Sequence, residues 1–212
     1  MSYKSSKLTY AFVDASNLFY GGVKSLGWKI DYQKLIAYIR KEYGVSKVFY
    51  YAGIELNGFD FSPLSREPID LNLLISFSKK VLRTKKLNKE RLMCIMNSID
   101  RAKFYRKLDE FGYILKLKPL KIFRENGRVI RKANCDVDMT FDLMRLYKEY
   151  KGVLILSGDG DFAVVLNYLR ETGKNVRILA RGERTAKEIK QLAGGDFRDF
   201  TRLKMKLEFS KK

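Results

Sequence analysis

Short apolar runs rich in β-branched and aromatic residues recur along this chain, separated by helix-length stretches, and that alternation limits the folds open to it. The runs are Leu8–Val13, Val48–Ala52, Tyr113–Leu117, Val153–Leu156 and Asn175–Leu179, each short enough to be a buried strand. Between the first two, Asp31 is placed to cap a helix whose apolar face is Leu35, Ile36 and Ile39, with Gly44 as its stop. Helical patterns follow over Ala102–Glu110, ended by Gly112, over Val137–Tyr150, and over Phe162–Glu171, ended by Gly173. Strands that alternate with helices predict an α/β fold, a mainly parallel sheet flanked by helices of Rossmann-like type. In such a sheet ligands collect beyond the carboxyl ends of the strands, where the strand order reverses.

Two segments break the alternation. From about 57 to 99 a turn-rich opening with Gly58, Pro63 and Pro68 leads to an apolar patch at Leu71–Phe77. A basic run follows: Lys79, Lys80, Arg83, Lys85, Lys86, Lys89 and Arg91. This reads as a helical insertion whose cations either solvate a helix face or contact nucleic acid. Farther on, Lys121–Arg124 and Arg128–Arg131 flank Asn126-Gly127, a hairpin signal with a basic face. Residues 1–200 are expected to form a single domain, with 201–212 a basic tail.

The 212 residues carry 43 Lys and Arg against 24 Asp and Glu, a formal net charge of +19, which favours polyanionic partners, nucleic acid before anionic membrane. With no histidine in the chain, Ser-His and Cys-His nucleophiles and His-based zinc sites are excluded. The only cysteines, Cys94 and Cys135, lack zinc-site spacing. No apolar run approaches the ~18 residues that span a bilayer, and no signal-type apolar region follows the start. The expectation is a cytoplasmic protein with no membrane partner, and nothing indicates a homo-oligomer.

Against this basic background three acidic clusters stand out: Asp14-Ala-Ser-Asn17, Asp136-Val-Asp138 and Ser157-Gly-Asp159-Gly-Asp161. Each sits where an apolar run stops or a helix starts. Each also has an ordinary explanation, a strand-ending turn or an Asp helix cap. Their joint occurrence argues for more, since two ionised carboxylates ~4 Å apart repel by roughly 1 kcal/mol in water and about 4 at an effective dielectric of 20. A divalent cation would turn that repulsion into coordination, and oxygen-only donors favour Mg²⁺ or Mn²⁺. Thr140 lies one turn on from Asp136. Asp138 is less favoured, and Asp142 is expected to be solvated or structural.

These residues resemble, in order and spacing, the NYN domain family, the PIN-like nuclease relatives that include the LabA-like proteins. The family's strand running into D-x-x-N is matched by Phe12 to Asn17. Its helix start, with acids spaced as in Asp136-Val-Asp-Met-Thr-Phe-Asp142, follows Lys132 at a longer distance than usual, and S-G-D-x-D-F is matched by Ser157 to Phe162. The ending with Thr185, Ile189, Asp196 and Phe197 is also similar. The resemblance implies hydrolysis of RNA phosphodiesters with one or two Mg²⁺ or Mn²⁺ ions held by Asp14, Asp136, Asp159 and Asp161. Asn17 would orient the scissile phosphate or a metal-bound water, and Ser157 and Thr185 would be weaker phosphate contacts. For RNA binding the basic candidates are Lys85, Lys86, Lys121, Arg128, Arg131 and Lys132, with DNA a further candidate partner.

Three rivals remain. Asp136-Val-Asp138-Met-Thr140 fits the D-x-D-x-T of haloacid-dehalogenase-type phosphatases, but polar Arg131-Lys-Ala-Asn-Cys precedes it where an apolar strand should end. A nucleotide-binding Rossmann enzyme lacks its G-x-G-x-x-G after the first strand. A non-catalytic RNA- or DNA-binding module of the same fold is the more serious alternative, although a pure phosphate binder gains nothing from carboxylates facing its ligand.

Overall fold

The computed structural model describes residues 8–22, 27–62, 64–65, 67–84, 86–125 and 128–210, without the side chains of 19–22 and 122–131. The chain begins with β1 (Thr9–Asp14), α1 (Ala15–Gly22), α2 (Tyr32–Tyr43) and β2 (Val45–Ile54). Local signals fix the second helix as expected. The Asp31 carboxylate accepts from the Gln33 and Lys34 N–H groups at 3.0 Å each, and Gly44 ends it at φ 64°, a conformation that costs glycine little. Next come α3 (Leu71–Thr84), α4 (Lys89–Glu110), β3 (Ile114–Pro119), β4 (Lys121–Glu125) and β5 (Arg128–Lys132). The remainder is α5 (Asp136–Arg145), β6 (Gly152–Leu156), α6 (Ala163–Glu171), β7 (Asn175–Ala180), α7 (Lys187–Ala193), β8 (Phe197–Asp199) and α8 (Lys204–Leu207), with short 3₁₀ turns between some of them.

Six strands form one sheet in the order β3-β2-β1-β6-β7-β8, with every neighbouring pair parallel. The chain builds outward from β1 to β3, then returns to the far side of β1 to lay down β6, β7 and β8. Strand order therefore reverses between β1 and β6. Alternate residues of each central strand serve opposite faces: Ala11, Val13, Tyr50, Ala52, Leu154 and Leu156 join a core with α2, α3, α4 and α8. Tyr10, Phe12, Phe49, Tyr51, Val153 and Ile155 join one with α5, α6 and α7. Phe12, fully buried, stacks on Phe49 with ring centroids 5.2 Å apart. β4 and β5 pair antiparallel as the separate hairpin the sequence predicts, and the Asn126-Gly127 turn lies outside the described residues.

Three elements differ from expectation. The helix expected to start at Ala102 starts at Lys89, capped by the Asn88 side chain, which accepts from the Arg91 N–H at 2.8 Å. Its buried positions Ile95, Ile99, Ala102, Tyr105 and Leu108 run without a break across the expected boundary, so the 57–99 segment is built into the core. The helix expected to reach Tyr150 gives way to turns after Arg145. The expected C-terminal tail is docked: Leu203 and Leu207 are buried, and the Phe209 N–H donates to the Lys29 carbonyl at 2.8 Å. No helix of the described residues is long and apolar enough to cross a membrane.

Candidate functional site

Asp14 is the last residue of β1, and Ser157 follows β6 directly, so the reversal of strand order sets them side by side at the carboxyl edge of the sheet. Strand parity turns both toward the α5 and α6 face, together with Phe12 and Ile155. The Asp14 carboxylate is buried. Its Oδ1 accepts from the Ser16 N–H (2.9 Å), the Ser16 hydroxyl (2.7 Å) and the Asn17 N–H (3.2 Å), which fixes the start of α1. Its Oδ2 accepts from the Ser157 hydroxyl at 3.1 Å.

Asn17 ties the same two strands together, its Oδ1 accepting the Gly158 N–H at 3.0 Å. The second acidic turn is then wound by its own side chains. The Asp159 N–H donates to the Ser157 hydroxyl oxygen at 3.2 Å, and the Asp161 N–H to Asp159 Oδ1 at 3.0 Å. Asp159 thus caps the 3₁₀ turn over 160–162, as its ordinary reading anticipates, and Asp161 projects into solvent. Gly158 is required by close approach. A Cβ there would lie 2.7 Å from Thr185 Oγ1 and 2.9 Å from Thr185 Cα. Replacing Gly158 with Ala is expected to cost about 1–3 kcal/mol of stability by overpacking, measured as a lower midpoint in urea denaturation.

Asp136 is the first residue of α5 and not its cap, which is Cys135 with no side-chain cap bond. Its carboxyl is pushed above the usual carboxylate range, first by burial and then by the charges of Asp14, Asp159 and Asp161, with Lys132 opposing. Helix α5 therefore delivers Asp136 to the same negative field as the two turns. Cys135 beside it is buried, and burial followed by the nearby carboxylates pushes its thiol up to about 12.

Asp14, Asn17, Asp136, Ser157, Asp159 and Asp161 are brought together. Thr185 is present but its hydroxyl donates to the Arg181 carbonyl at 2.7 Å, so it packs the turn in place. Asp138 is exposed and paired with Lys118 at 2.7 Å. Asp142 is buried away from the cluster, as a structural acid rather than a solvated one. Lys116 (3.1 Å) and the Tyr51 hydroxyl (2.9 Å) reach its Oδ2, and Arg145 (2.7 Å) its Oδ1. Burial pushes its carboxyl up, but these hydrogen bonds outweigh it and hold the group below its usual range.

Lys86, Lys121 and Lys132 are exposed. Lys85 and the side chains of Arg128 and Arg131 lie outside the described residues. Sequence reasoning missed Glu188 on α7, whose carboxylate presses against Gly160, between Asp159 and Asp161. The spacing Thr185-Ala-Lys-Glu188 has the form of a capping box, the one signal that marks it.

Among the described residues no group of three or more acidic or cysteine side chains is gathered closely enough to hold a metal ion as it stands.

The protein LabA of Synechococcus elongatus is 23% identical over 195 residues, covering 90% of this chain and 82% of that protein. The crystal structure of a protein of unknown function from Vibrio parahaemolyticus superposes with a TM-score of 0.61 at 19% identity, over 94% of this chain and 96% of that one, and shows the fold. A T5 D15 protein co-crystallised with metal ions is a looser likeness, with a TM-score of 0.45 at 14% identity, over 86% of this chain and 59% of that one. The sequence model of the NYN domain matches residues 56–208, from the end of β2 through the two later acidic clusters to α8, and the chain belongs to the NYN domain family.

Proposed function

We propose that this protein is a metal-dependent ribonuclease that hydrolyses RNA phosphodiester bonds at the carboxyl edge of β1 and β6. The observation that carries the reading is the convergence of Asp14, Asp136, Asp159 and Asp161 on one field, felt at the raised Asp136 carboxyl, in a chain of net charge +19. A protein that only bound phosphate would lose affinity by turning four acids toward it.

The donor set fits Mg²⁺ or Mn²⁺: it is all oxygen, it carries excess negative charge, and its charges oppose one another. Asp14, Asp136 and Asp159 would hold the ion, with Asp161 at the exposed rim, and the separation of these groups requires them to draw together on binding. Bound there, a divalent ion supplies a water of lowered pKa and neutralises charge on the phosphoryl oxygens.

The chain's own residues do the rest. Asn17, its amide oxygen committed to Gly158, keeps its amide nitrogen as a donor toward the scissile phosphate. Ser157 and the Ser16 hydroxyl hold the Asp14 carboxylate in a single orientation. Lys132, exposed and close enough to Asp136 to lower its carboxyl, offers a cation to the substrate backbone.

The test is cleavage of labelled single-stranded RNA with Mn²⁺, with Mg²⁺ and with EDTA, by the wild type and by Asp159→Asn. Activity that disappears in EDTA, returns with either ion and falls at least ~10²-fold in the variant is expected. Full activity in EDTA refutes the metal dependence. Cleavage of DNA in preference to RNA refutes the substrate assignment.

A further inference from the structure

The basic run of the 57–99 segment acquires a location that its sequence did not give. The Tyr105 hydroxyl donates to the Gly53 carbonyl at 2.8 Å, and the Ser98 hydroxyl donates to Glu55 Oε2 at 2.6 Å. Gly53 and Glu55 bracket the carboxyl end of β2, so α4 passes that edge near Ser98. The part of α4 from Ser98 back to Lys89 then rises about 14 Å beyond the sheet, at 1.5 Å per residue. Helix α3 packs alongside α4, which brings its C-terminal turn to the same height.

At that tip Lys79, Lys80, Arg83, Lys86, Lys89 and Arg91 are all exposed, and none forms an ion pair among the described residues. Farther along the same helix Lys103 pairs with Asp100 and Lys107 with Glu110. These six exposed cations therefore stand together on the part of the hairpin that overhangs the edge carrying the acidic site.

The overhang is also one-sided. Helices α3 and α4 belong to the core beneath Ala11 and Val13, on the side of the sheet opposite α5, with α4 against β2 and β3 and α3 packed on α4. Combining two strand spacings, one sheet-to-helix layer and the overhang places the tip on the order of 20 Å from Asp14. A stacked single strand covers that span in about six nucleotides at 3.4 Å each.

We propose that the tip of the α3–α4 hairpin anchors the flank of a single-stranded nucleic-acid substrate, about six nucleotides to one side of the phosphate held at the acidic site. This rests on the reading of the acidic site as the place of cleavage. The anchor grips the phosphate backbone without reading bases, so it sets substrate length and not sequence. Occupying it leaves the chemistry at Asp14, Asp136 and Asp159 unchanged.

The experiment compares the wild type with Lys80→Glu/Arg83→Glu/Lys86→Glu/Lys89→Glu, and with the milder set in which each of the four becomes Gln. Substrates are single-stranded RNAs of about 4 nucleotides, too short to span the gap, and about 16 nucleotides, within the range a single groove binds. For the longer RNA the KM of the Glu variant rises at least ~10-fold with kcat within twofold, and the slope of log affinity against log salt flattens by about 3. For the shorter RNA both constants stay within twofold of wild type.

An equal rise in KM for both lengths, or a fall in kcat, overturns the remote anchor. Binding of the longer RNA is also followed by fluorescence anisotropy in EDTA, which needs no cleavage. A protein that binds the long RNA through these four residues yet cleaves nothing keeps the anchor and loses the catalytic reading. Unchanged RNA affinity alongside lost binding to phosphatidylserine vesicles would assign the tip to a membrane surface and refute the proposal.

Discussion

Replacing Asp14 with Asn is expected to lower divalent-ion-dependent RNA cleavage by about 10²–10³-fold, the cost of removing one charged group from the proposed metal-binding set. The fold should survive. Asn can still offer Oδ1 to the Ser16 and Asn17 N–H groups that start α1, while its amide meets the Ser157 hydroxyl where a carboxylate oxygen accepted it. Losing that single bond costs about 1 kcal/mol. Asp136→Asn gives the contrasting result. Activity falls comparably, but in EDTA the melting temperature rises, because the Asp136 carboxyl is held above its usual range by burial and by three like charges. The rise is small, because the carboxyl is partly exposed and solvent screens the repulsion. Excess Mn²⁺ should stabilise the wild type more than either variant. Single-turnover cleavage and thermal melts with and without Mn²⁺ check both results, and an Asp14→Asn protein within threefold of wild-type activity would remove Asp14 from the site.

The largest stability effect is expected at the acid that the site does not use. Asp142→Ala strips the partner from Lys116 and Arg145 and leaves the buried side of the Tyr51 hydroxyl without its acceptor. The two cations are partly exposed and can turn to water, which places the cost near the low end for a broken buried pair, about 2–3 kcal/mol. Activity per folded molecule should stay unchanged. The effect depends on pH in a defined direction. The Asp142 carboxyl lies below its usual value of 3.8 in the folded protein, so its stabilisation is complete above that value and is lost as pH falls through the folded-state value. Asp136 has the opposite sign: its raised carboxyl makes the folded state bind protons more readily, so its repulsion is relieved as pH falls through the folded-state value toward 3.8. Urea midpoints of wild type and Asp142→Ala measured from neutral to acid pH should converge at the acid end.

Much of the fold is legible because its signals are local. Asp31 and Gly44 bound α2 as the sequence suggests, since capping needs only residues within one turn. Asn-Gly between two alternating runs gives the β4–β5 hairpin for the same reason. Helix α4 is misjudged where locality fails. Leu92, Met93, Ile95 and Met96 are apolar around much of the helix, and only packing selects Ile95 for burial while the other three stay exposed. Leu203 and Leu207 lie in a stretch that reads as a basic tail until the groove beside α2 shows where they go. Glu188 escapes notice because its approach to Gly160 joins a helix to a turn that packs against it only in the folded chain.

The sequence by itself determined the strand–helix alternation, the cation excess, the lack of histidine and the three acidic motifs, all properties of neighbouring residues. Tertiary structure alone decided that the motifs share one site. The Ser157 hydroxyl and the Asp14 carboxylate meet across 143 positions of chain, because parallel strands can pair only through crossovers that no local pattern encodes. The strand order that puts β6 next to β1 turns three separable caps and turns into one negative field. The same architecture, by carrying α4 past the carboxyl edge of β2, sets a basic tip beyond it.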